Sequence, residues 1–195
     1  PPPPKKPTLT AISGNNQVTL YWDRVAEESL DPVTKEKDFQ GYKIYRATDP
    51  NFNDVRNITD ANGLIQGYST LQQFDKDDNI NGYFYPSKNL FQDTKGYTFF
   101  LGDDTGLVHS YIDRDVQNGR TYYYALVAYD HGNEEKDIFP SENSKFISVL
   151  PSGEIVTDQN TAFVIPSSAS AGYSLNDTIP SVSYTHLTLP TISRV

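Results

Sequence analysis

The residues whose types and spacing best suit metal binding lie between positions 75 and 82. Oxygen-bearing side chains occupy every second position and a glycine follows them: Asp75, Asp77, Asn79, Asn81 and Gly82. Calcium binds such oxygens in loops that use alternate residues and a glycine turn. The position that would supply a bidentate glutamate is Lys88, so only the first half of such a loop is matched. The two interpretations are a structural calcium site and an Asp- and Asn-rich turn.

Three consecutive aromatic residues, Tyr83, Phe84 and Tyr85, follow this segment. An exposed tyrosine presents an apolar ring and a polar hydroxyl, which together suit a sugar ring, so Tyr83 and Tyr85 are candidate carbohydrate-binding residues. Because side chains alternate along a strand, at least one of the three rings is expected to face inward. Packing in the interior is the alternative role for these rings.

No pattern in the sequence points to catalysis. A glycine-rich phosphate loop, a nucleophile elbow and an HExxH pair are all missing. The three histidines, His109, His131 and His186, are far apart, and the acidic pairs 103–104 and 134–135 are typical of solvated turns. We therefore expect no catalytic residues, no enzyme activity and no cofactor apart from the structural calcium considered above.

The composition narrows the class of partner. The formal net charge is -9, which repels a phosphate backbone and an anionic bilayer, so we expect no nucleic-acid partner and no membrane insertion. No apolar stretch reaches the roughly 20 residues of a membrane-spanning helix. Cysteine is absent, which excludes disulfides and thiolate chemistry. Aromatic residues make up 13% of the chain and favour strands over helices.

Strand patterns position these candidate residues. Over residues 17–23, Val18, Leu20 and Trp22 alternate with polar or amphipathic residues, which predicts a strand with one buried face. Residues 41–47 continue this pattern. Residues 120–130 are apolar on both faces and predict a central strand, and residues 144–150 predict a last strand that ends at Pro151.

These strands carry a resemblance to a known family. The ordered set Trp22, Tyr42, Ile44 and the alternating run 121–128 resembles the signature of fibronectin type III domains of bacterial extracellular proteins, over residues 8–151. The resemblance implies an all-β, immunoglobulin-like antiparallel β-sandwich whose aromatic centre contains Trp22, Tyr42 and Tyr122. It also implies a tyrosine corner, in which the Tyr122 hydroxyl bonds to backbone a few residues upstream.

The chain departs from the family at residues 48–108, where about sixty residues replace one or two short strands. The many aromatic residues in this insertion predict that it folds against the sandwich. Residues 96–101 and 107–112, with the loop 102–106 between them, predict a hairpin. Short helical turns are expected at residues 69–74 and 87–92.

The two ends have different characters. Residues 1–7, PPPPKKP, are typical of an extended proline-rich linker, with a proline-binding partner as the alternative. Residues 152–181 are polar and form either a linker or the first strand of a following domain. Residues 182–191 resemble a translated sequencing-library adapter, so the tail 182–195 is expected to be artefactual, unless it is a genuine strand.

These observations lead to one functional expectation and two alternatives. Because the chain starts with proline and contains no methionine, we expect a fragment of a larger secreted or cell-surface bacterial protein. The favoured role is a noncatalytic structural or interaction module, with other domains of the same polypeptide and a cell-surface protein or glycan as partners. The alternatives are a carbohydrate-binding accessory module of a polysaccharide-acting enzyme and a calcium-stabilised adhesion domain.

Overall fold

A computed structural model of the chain describes residues 2–32, 35–56, 58–59, 65–85 and 98–168. Within these ranges the protein is all-β with antiparallel sheets, which confirms the predicted fold class. No described helix has the length and apolar character needed to cross a membrane. The strands are β1 Leu9–Gly14, β2 Gln17–Trp22, β3 Phe39–Ala47, β4 Ile58–Thr59, β5 Ile65–Gly67, β6 Gln72–Asp75, β7 Gly82–Tyr83, β8 Phe100–Gly102, β9 Ser110–Asp113, β10 Tyr122–Asp130, β11 Ile147–Val149, β12 Ile155–Thr157 and β13 Thr161–Val164.

Two larger sheets form a β-sandwich. One has three strands in the order β1-β2-β9, and the other has four in the order β13-β10-β3-β6. The chain changes sheet between β2 and β3, returns at β9 and crosses again to β10. The short strand pairs β4-β5 and β7-β8 lie in the insertion 48–108, and the pair β11-β12 lies between β10 and β13 in the chain. The predicted β-sandwich is therefore confirmed, and its middle strands come from distant parts of the chain.

Strand β2 shows the predicted alternation. Val18, Leu20 and Trp22 are buried, whereas Tyr21 between them is 47% exposed. The inward residues pack in a core formed by side chains from both sheets, which excludes water from one face of the strand only.

The central strands β3 and β10 are buried on both faces. They pair antiparallel, with Leu126 opposite Ile44, and all nine residues of β10 are buried. One set of β10 side chains packs between the sheets. The alternate set packs under residues of the insertion and of strands β11 and β12. This double coverage explains why the sequence of β10 shows no polar face.

The core between the sheets contains the three rings expected there, but they do not form one contact group. The Trp22 and Tyr42 rings are 5.9 Å apart in an edge-to-face arrangement. Tyr42 pairs with Ala128, so Tyr122 lies six residues further along β10, roughly 20 Å away along the strand. Tyr122 shares the same buried cluster, and the guanidinium groups of Arg46 and Arg120 lie 5.9 and 5.7 Å from its ring.

Tyr122 has the backbone contact that the resemblance implies. The backbone N–H of Gln117 donates a hydrogen bond of 3.0 Å to the Tyr122 hydroxyl oxygen, five residues upstream. The polar end of a buried ring is thereby satisfied, and the turn before β10 is fixed to the strand.

The described parts of the insertion pack against the outer face of the four-stranded sheet. Two apolar clusters cover that face, and both include residues from the insertion. The first contains Tyr45, Ala47, Phe52, Tyr123, Ala125, Val127 and Ile147, and the second contains Phe84, Phe99, Leu101 and Tyr129. The second cluster anchors the candidate site described below.

The predicted hairpin over residues 96–112 is wrong. Strand β8 pairs with β7, and strand β9 pairs with β2 in the other sheet. The loop between them is held elsewhere, because the backbone N–H groups of Asp104 and Thr105 donate to the buried carboxylate of Asp75. This anchor replaces the local strand pairing that the turn residues favoured.

The expected helical turn at residues 69–74 is also wrong. Residues 72–75 form β6, which pairs with the edge of β3 from Gly41↔Asp75 to Ile44↔Gln72. Phe74 packs against the core beside Trp22, at 6.2 Å between ring centroids. Pairing with an open strand edge outweighed the local helical preference. The turn expected at 87–92 lies outside the described residues.

The sandwich extends beyond the boundary expected at residue 151. Strand β13 pairs with β10 from Tyr122↔Val164 to Ala125↔Thr161 and is an edge strand of the four-stranded sheet. The strand expected at residues 144–150 is present as β11, but it pairs with β12 and is not the last strand. Residues 152–166 therefore belong to the sandwich. Residues 169–181, the end of the segment expected at 152–181, and the tail 182–195 lie outside the described residues.

The proline-rich segment lies against the domain. Pro4 and Pro7 are buried, and the Asn143 side chain donates a 2.6 Å hydrogen bond to the Pro4 carbonyl oxygen. The backbone N–H of Lys5 donates to Ser29 Oγ, also at 2.6 Å. The linker expected over residues 1–7 is therefore docked on the sandwich in the part that the structure describes.

Candidate functional site

The aromatic triplet divides into one buried ring and two exposed rings. Phe84 is fully buried, whereas Tyr83 is 51% exposed and Tyr85 is 68% exposed. Two backbone contacts fix this arrangement, namely the pairing of Tyr83 with Phe100 and a 2.8 Å hydrogen bond from Phe84 N–H to the Phe99 carbonyl oxygen. Alternation at the end of β7 thus points both tyrosines toward solvent, as a carbohydrate-binding role requires.

Phe84 anchors the exposed rings to the central strand. Its ring lies 5.3 Å from that of Phe139, and Phe99 lies 5.6 Å from Tyr129 on β10. The Lys43 ammonium group is 3.6 Å from the centroid of Phe99 and 3.1 Å from Glu142 Oε2. This dense packing gives the site a rigid base.

A cleft of about 340 Å³ opens beside Tyr83. Its lining includes the buried side chains of Phe84 and Leu101, which make the floor apolar. The polar lining residues are Asn79, Asn81, His131, Asn133, Glu134 and Glu135. An apolar floor with a few surrounding amides and carboxylates is the usual composition of a small-ligand site.

The polar wall of the cleft comes mainly from the loop after β10. Glu134 accepts a 2.9 Å hydrogen bond from the backbone N–H of Tyr85, which couples this loop to the aromatic segment. Asn133 Oδ1 accepts from the backbone N–H of Lys136 at 2.8 Å, and His131 Nδ1 lies 2.6 Å from the Gly132 carbonyl oxygen. If that nitrogen carries the proton, Nε2 is an acceptor.

Sequence reasoning missed this wall. It treated His131 and the pair Glu134-Glu135 as ordinary surface residues, but the structure places all three on the cleft. Their sequence signal is weak, because the partner Tyr85 is 49 positions from Glu134. Of the two predicted ligand-binding tyrosines, Tyr83 is on the lining, whereas Tyr85 is connected to it through the hydrogen bond from its backbone N–H to Glu134.

The other side of the cleft is the segment predicted to bind calcium. Asp75 is fully buried and accepts hydrogen bonds from three donors in the 104–105 loop: Asp104 N–H at 2.7 Å, Thr105 N–H at 3.2 Å and the Thr105 hydroxyl at 2.7 Å. Its two oxygens therefore already have partners. Among the described residues, no group of three or more acidic, His or Cys residues is arranged to hold a metal.

Two of the remaining predicted ligands, Asn79 and Asn81, belong to a turn that is held by hydrogen bonds to Asp104. Asp104 accepts from the backbone N–H groups of Asp78 and Asn79, at 3.1 and 2.9 Å, and from the Asn81 side chain. These hydrogen bonds hold the pKa of the Asp104 carboxyl below its ordinary value, with the Asn81 contact as the largest cause. Asn79 has a positive φ of 64°, typical of a tight turn. The geometry favours the Asp- and Asn-rich turn, and calcium binding stays a prediction.

Glycine at position 102 lets this turn close. A Cβ atom there would lie 2.2 Å from Asp75 Cγ, and its φ of 140° is rare for other residues. The absence of a side chain thus allows Asp75 to reach the loop that it caps.

The carboxyl group of Asp38, beside the cleft loop, is expected to make the stability of the fold depend on pH. Its carbonyl oxygen accepts from the backbone N–H of His131. Burial, and then the nearby Asp31 and Glu36 charges, raise the pKa of the Asp38 carboxyl above its ordinary value, while His131 acts in the opposite direction. Folding thus disfavours the ionised form, so this group opposes folding above its folded-state pKa and has no such effect below its unfolded pKa of about 3.9.

We therefore expect Asp38→Asn to be more stable than the wild type at pH 7, with the difference vanishing as the pH falls below about 4. Urea unfolding of both proteins from pH 3.5 to 8 measures this difference. A variant whose loss of stability is the same at every pH would contradict the expectation and indicate a purely structural role.

His109, the second histidine, lies in a different place. Its Nε2 atom contacts Glu27 Oε1, and the Tyr42 hydroxyl donates to the same oxygen at 3.1 Å. Burial, reinforced by Glu27, raises the pKa of Tyr42. This group closes one end of the core and is remote in sequence from the cleft loop. His186 lies outside the described residues.

Comparisons of this chain with family models, with curated proteins and with solved structures find no match.

Proposed function

We propose that this chain is a noncatalytic binding module of a larger extracellular protein and that its ligand is a carbohydrate. The observation that carries the proposal is the pair of exposed tyrosines, Tyr83 and Tyr85, fixed by the buried Phe84 between them and bordered by a polar-walled cleft. A pyranose ring has apolar C–H faces that stack on aromatic rings and hydroxyl groups that pair with amides and carboxylates.

The fold supports a binding module of the fibronectin type III kind. Two features that are typical of that class support the proposal: the sandwich of three and four antiparallel strands, and the tyrosine hydroxyl bonded to the turn before a central strand. In such folds the sheets form a rigid support and the connecting segments carry the contacts. Here the connections that follow β6 and β10 supply the cleft.

The test is binding of the purified chain to polysaccharides by affinity gel electrophoresis and by a glycan array. We expect Tyr83→Ala and Tyr85→Ala to weaken binding at least about tenfold each, because removal of a stacked ring costs about 1.5 kcal/mol or more. Tyr21→Ala is the matched control, since Tyr21 on β2 is similarly exposed at 47%.

Two outcomes would contradict the assignment of a carbohydrate ligand to Tyr83 and Tyr85. One is the absence of binding to every glycan tested, and the other is binding that Tyr21→Ala weakens as strongly as Tyr83→Ala does. Turnover of a polysaccharide by the isolated chain would contradict its noncatalytic character.

A further inference from the structure

The charge of the cleft beside Tyr83 distinguishes it from a neutral sugar site. Its described lining includes two glutamates, Glu134 and Glu135, and no lysine or arginine. A ligand in this cleft therefore meets a negative field, which the net charge of -9 reinforces.

Both glutamates are available to a ligand. Glu134 uses Oε1 to accept the Tyr85 N–H and is exposed, and Glu135 is also exposed. Neither forms an ion pair with a described residue, whereas Glu28 and Glu142 each pair with a lysine. Two unneutralised carboxylates beside an aromatic ring are the groups that an ammonium ion prefers.

The carboxylate of Glu134 lies close to the segment that carries the exposed tyrosines. Its hydrogen bond to Tyr85 N–H holds a carboxylate next to the segment that presents both exposed rings. A sugar stacked on Tyr83 or Tyr85 would therefore place substituents of its ring within reach of the acidic loop 133–135. The face of a tyrosine ring itself attracts a cation, which acts in the same direction.

We propose that the cleft selects glycans that carry free amino groups, such as polymers of 2-amino-2-deoxy sugars. This inference rests on the proposed function, because it assigns the ligand class of the same site. An ammonium group gains charge-charge attraction from two carboxylates, an acetylated or hydroxylated sugar at that position gains no attraction of this kind, and a uronic acid is repelled.

The test compares four tetrasaccharide probes with one linkage, measured by isothermal titration calorimetry at low salt. The probes are a glucosamine oligomer, its N-acetylated form, a glucose oligomer and a glucuronic acid oligomer. We expect the glucosamine oligomer to bind about tenfold more tightly than the glucose oligomer, and the advantage to decline as salt screens the charges.

Glutamine variants isolate the effect of charge. Glu134→Gln retains an acceptor for Tyr85 N–H, so the fold is preserved. We expect the double variant Glu134→Gln/Glu135→Gln to lose the preference for amino groups, so that it binds the glucosamine and glucose oligomers with equal affinity. Glu154→Gln, at an exposed glutamate of the β11–β12 hairpin, is the control for Glu135→Gln, because it removes one charge elsewhere.

The outcomes separate this inference from the proposed function. Tyr83-dependent binding of the glucose oligomer without a preference for amino groups would overturn the inference and leave the function standing. Failure of all four probes would overturn the inference, and failure of every glycan on the array as well would overturn both. Tighter Tyr83-dependent binding of a lysine-rich peptide than of the glucosamine oligomer would overturn the assignment to a glycan.

Discussion

Replacement of Asp113 by alanine is expected to lower the free energy of unfolding by about 3 kcal/mol, because it removes one partner of a buried ion pair. Asp113 ends β9 in the three-stranded sheet, and its side chain is 2% exposed. Arg46, near the end of β3 in the opposite sheet, contacts both carboxylate oxygens, at 3.1 and 3.0 Å. The pair therefore connects the two sheets of the sandwich.

Two further donors satisfy the same carboxylate. The Tyr124 hydroxyl donates to Asp113 Oδ2 at 2.8 Å, and the backbone N–H of Asp115 donates to Oδ1 at 3.0 Å. Removal of the carboxylate leaves the buried Tyr124 hydroxyl without its acceptor and deprives the Arg46 guanidinium of its buried carboxylate partner, and each loss adds a desolvation cost. Tyr124→Phe, which removes one bond of this network, is expected to cost about 1.5 kcal/mol.

Asp115 provides a matched control on the same arginine. Its carboxylate lies 2.9 Å from Arg46 Nη2 but is 92% exposed. Solvent screens such a pair, so Asp115→Ala is expected to cost less than about 1 kcal/mol. Urea unfolding monitored by Trp22 fluorescence measures all three variants. Equal losses for Asp113→Ala and Asp115→Ala would contradict the structural role assigned to the buried pair.

The strands that sequence reasoning predicted correctly are those with a local signal. Val18, Leu20 and Trp22 reveal β2 through their period of two, and β10 is apolar at nearly every position. Such patterns arise because burial acts on each side chain separately, so no knowledge of the pairing partner is needed.

Strand pairing could not be predicted in this way. Strand β9 has the right pattern but pairs with β2 about ninety positions earlier, not with β8 next to it. Strand β13 pairs with β10, although the β11–β12 hairpin, which contains Pro151, lies between them in the chain. In both cases the strand pairs with the open edge of a strand that is distant in the sequence, and that pairing leaves no mark in the local sequence.

The candidate site divides along the same line. The exposure of Tyr83 and Tyr85 follows from alternation around Phe84, so the sequence contains that information. The acidic wall, Glu134 and Glu135, comes from a loop whose position depends on the packing of Phe139 against Phe84. Its role in the cleft required the tertiary structure.

Replacement of Asp75 by alanine separates the two interpretations of the turn beside the cleft. The carboxylate is buried and accepts three hydrogen bonds from Asp104 and Thr105, so its removal leaves buried N–H groups without an acceptor. We expect a loss of about 3 kcal/mol in the free energy of unfolding. Because the turn positions Asn79 and Asn81 on the cleft, the same variant is also expected to weaken glycan binding.

Asp77→Ala is the matched control in the same turn. Asp77 and Asp75 both belong to the predicted calcium ligands. Asp77 is exposed, whereas Asp75 is buried and accepts hydrogen bonds from protein donors. If the turn is held by protein hydrogen bonds, Asp77→Ala changes the stability by less than about 0.5 kcal/mol, and the Tm of the wild type is the same in a chelator and in millimolar calcium. If calcium holds the turn, both variants lose stability in calcium and the wild-type Tm rises with calcium. That second result would overturn the hydrogen-bonded turn and establish the metal site, because a ligand that binds only the folded state must raise its stability.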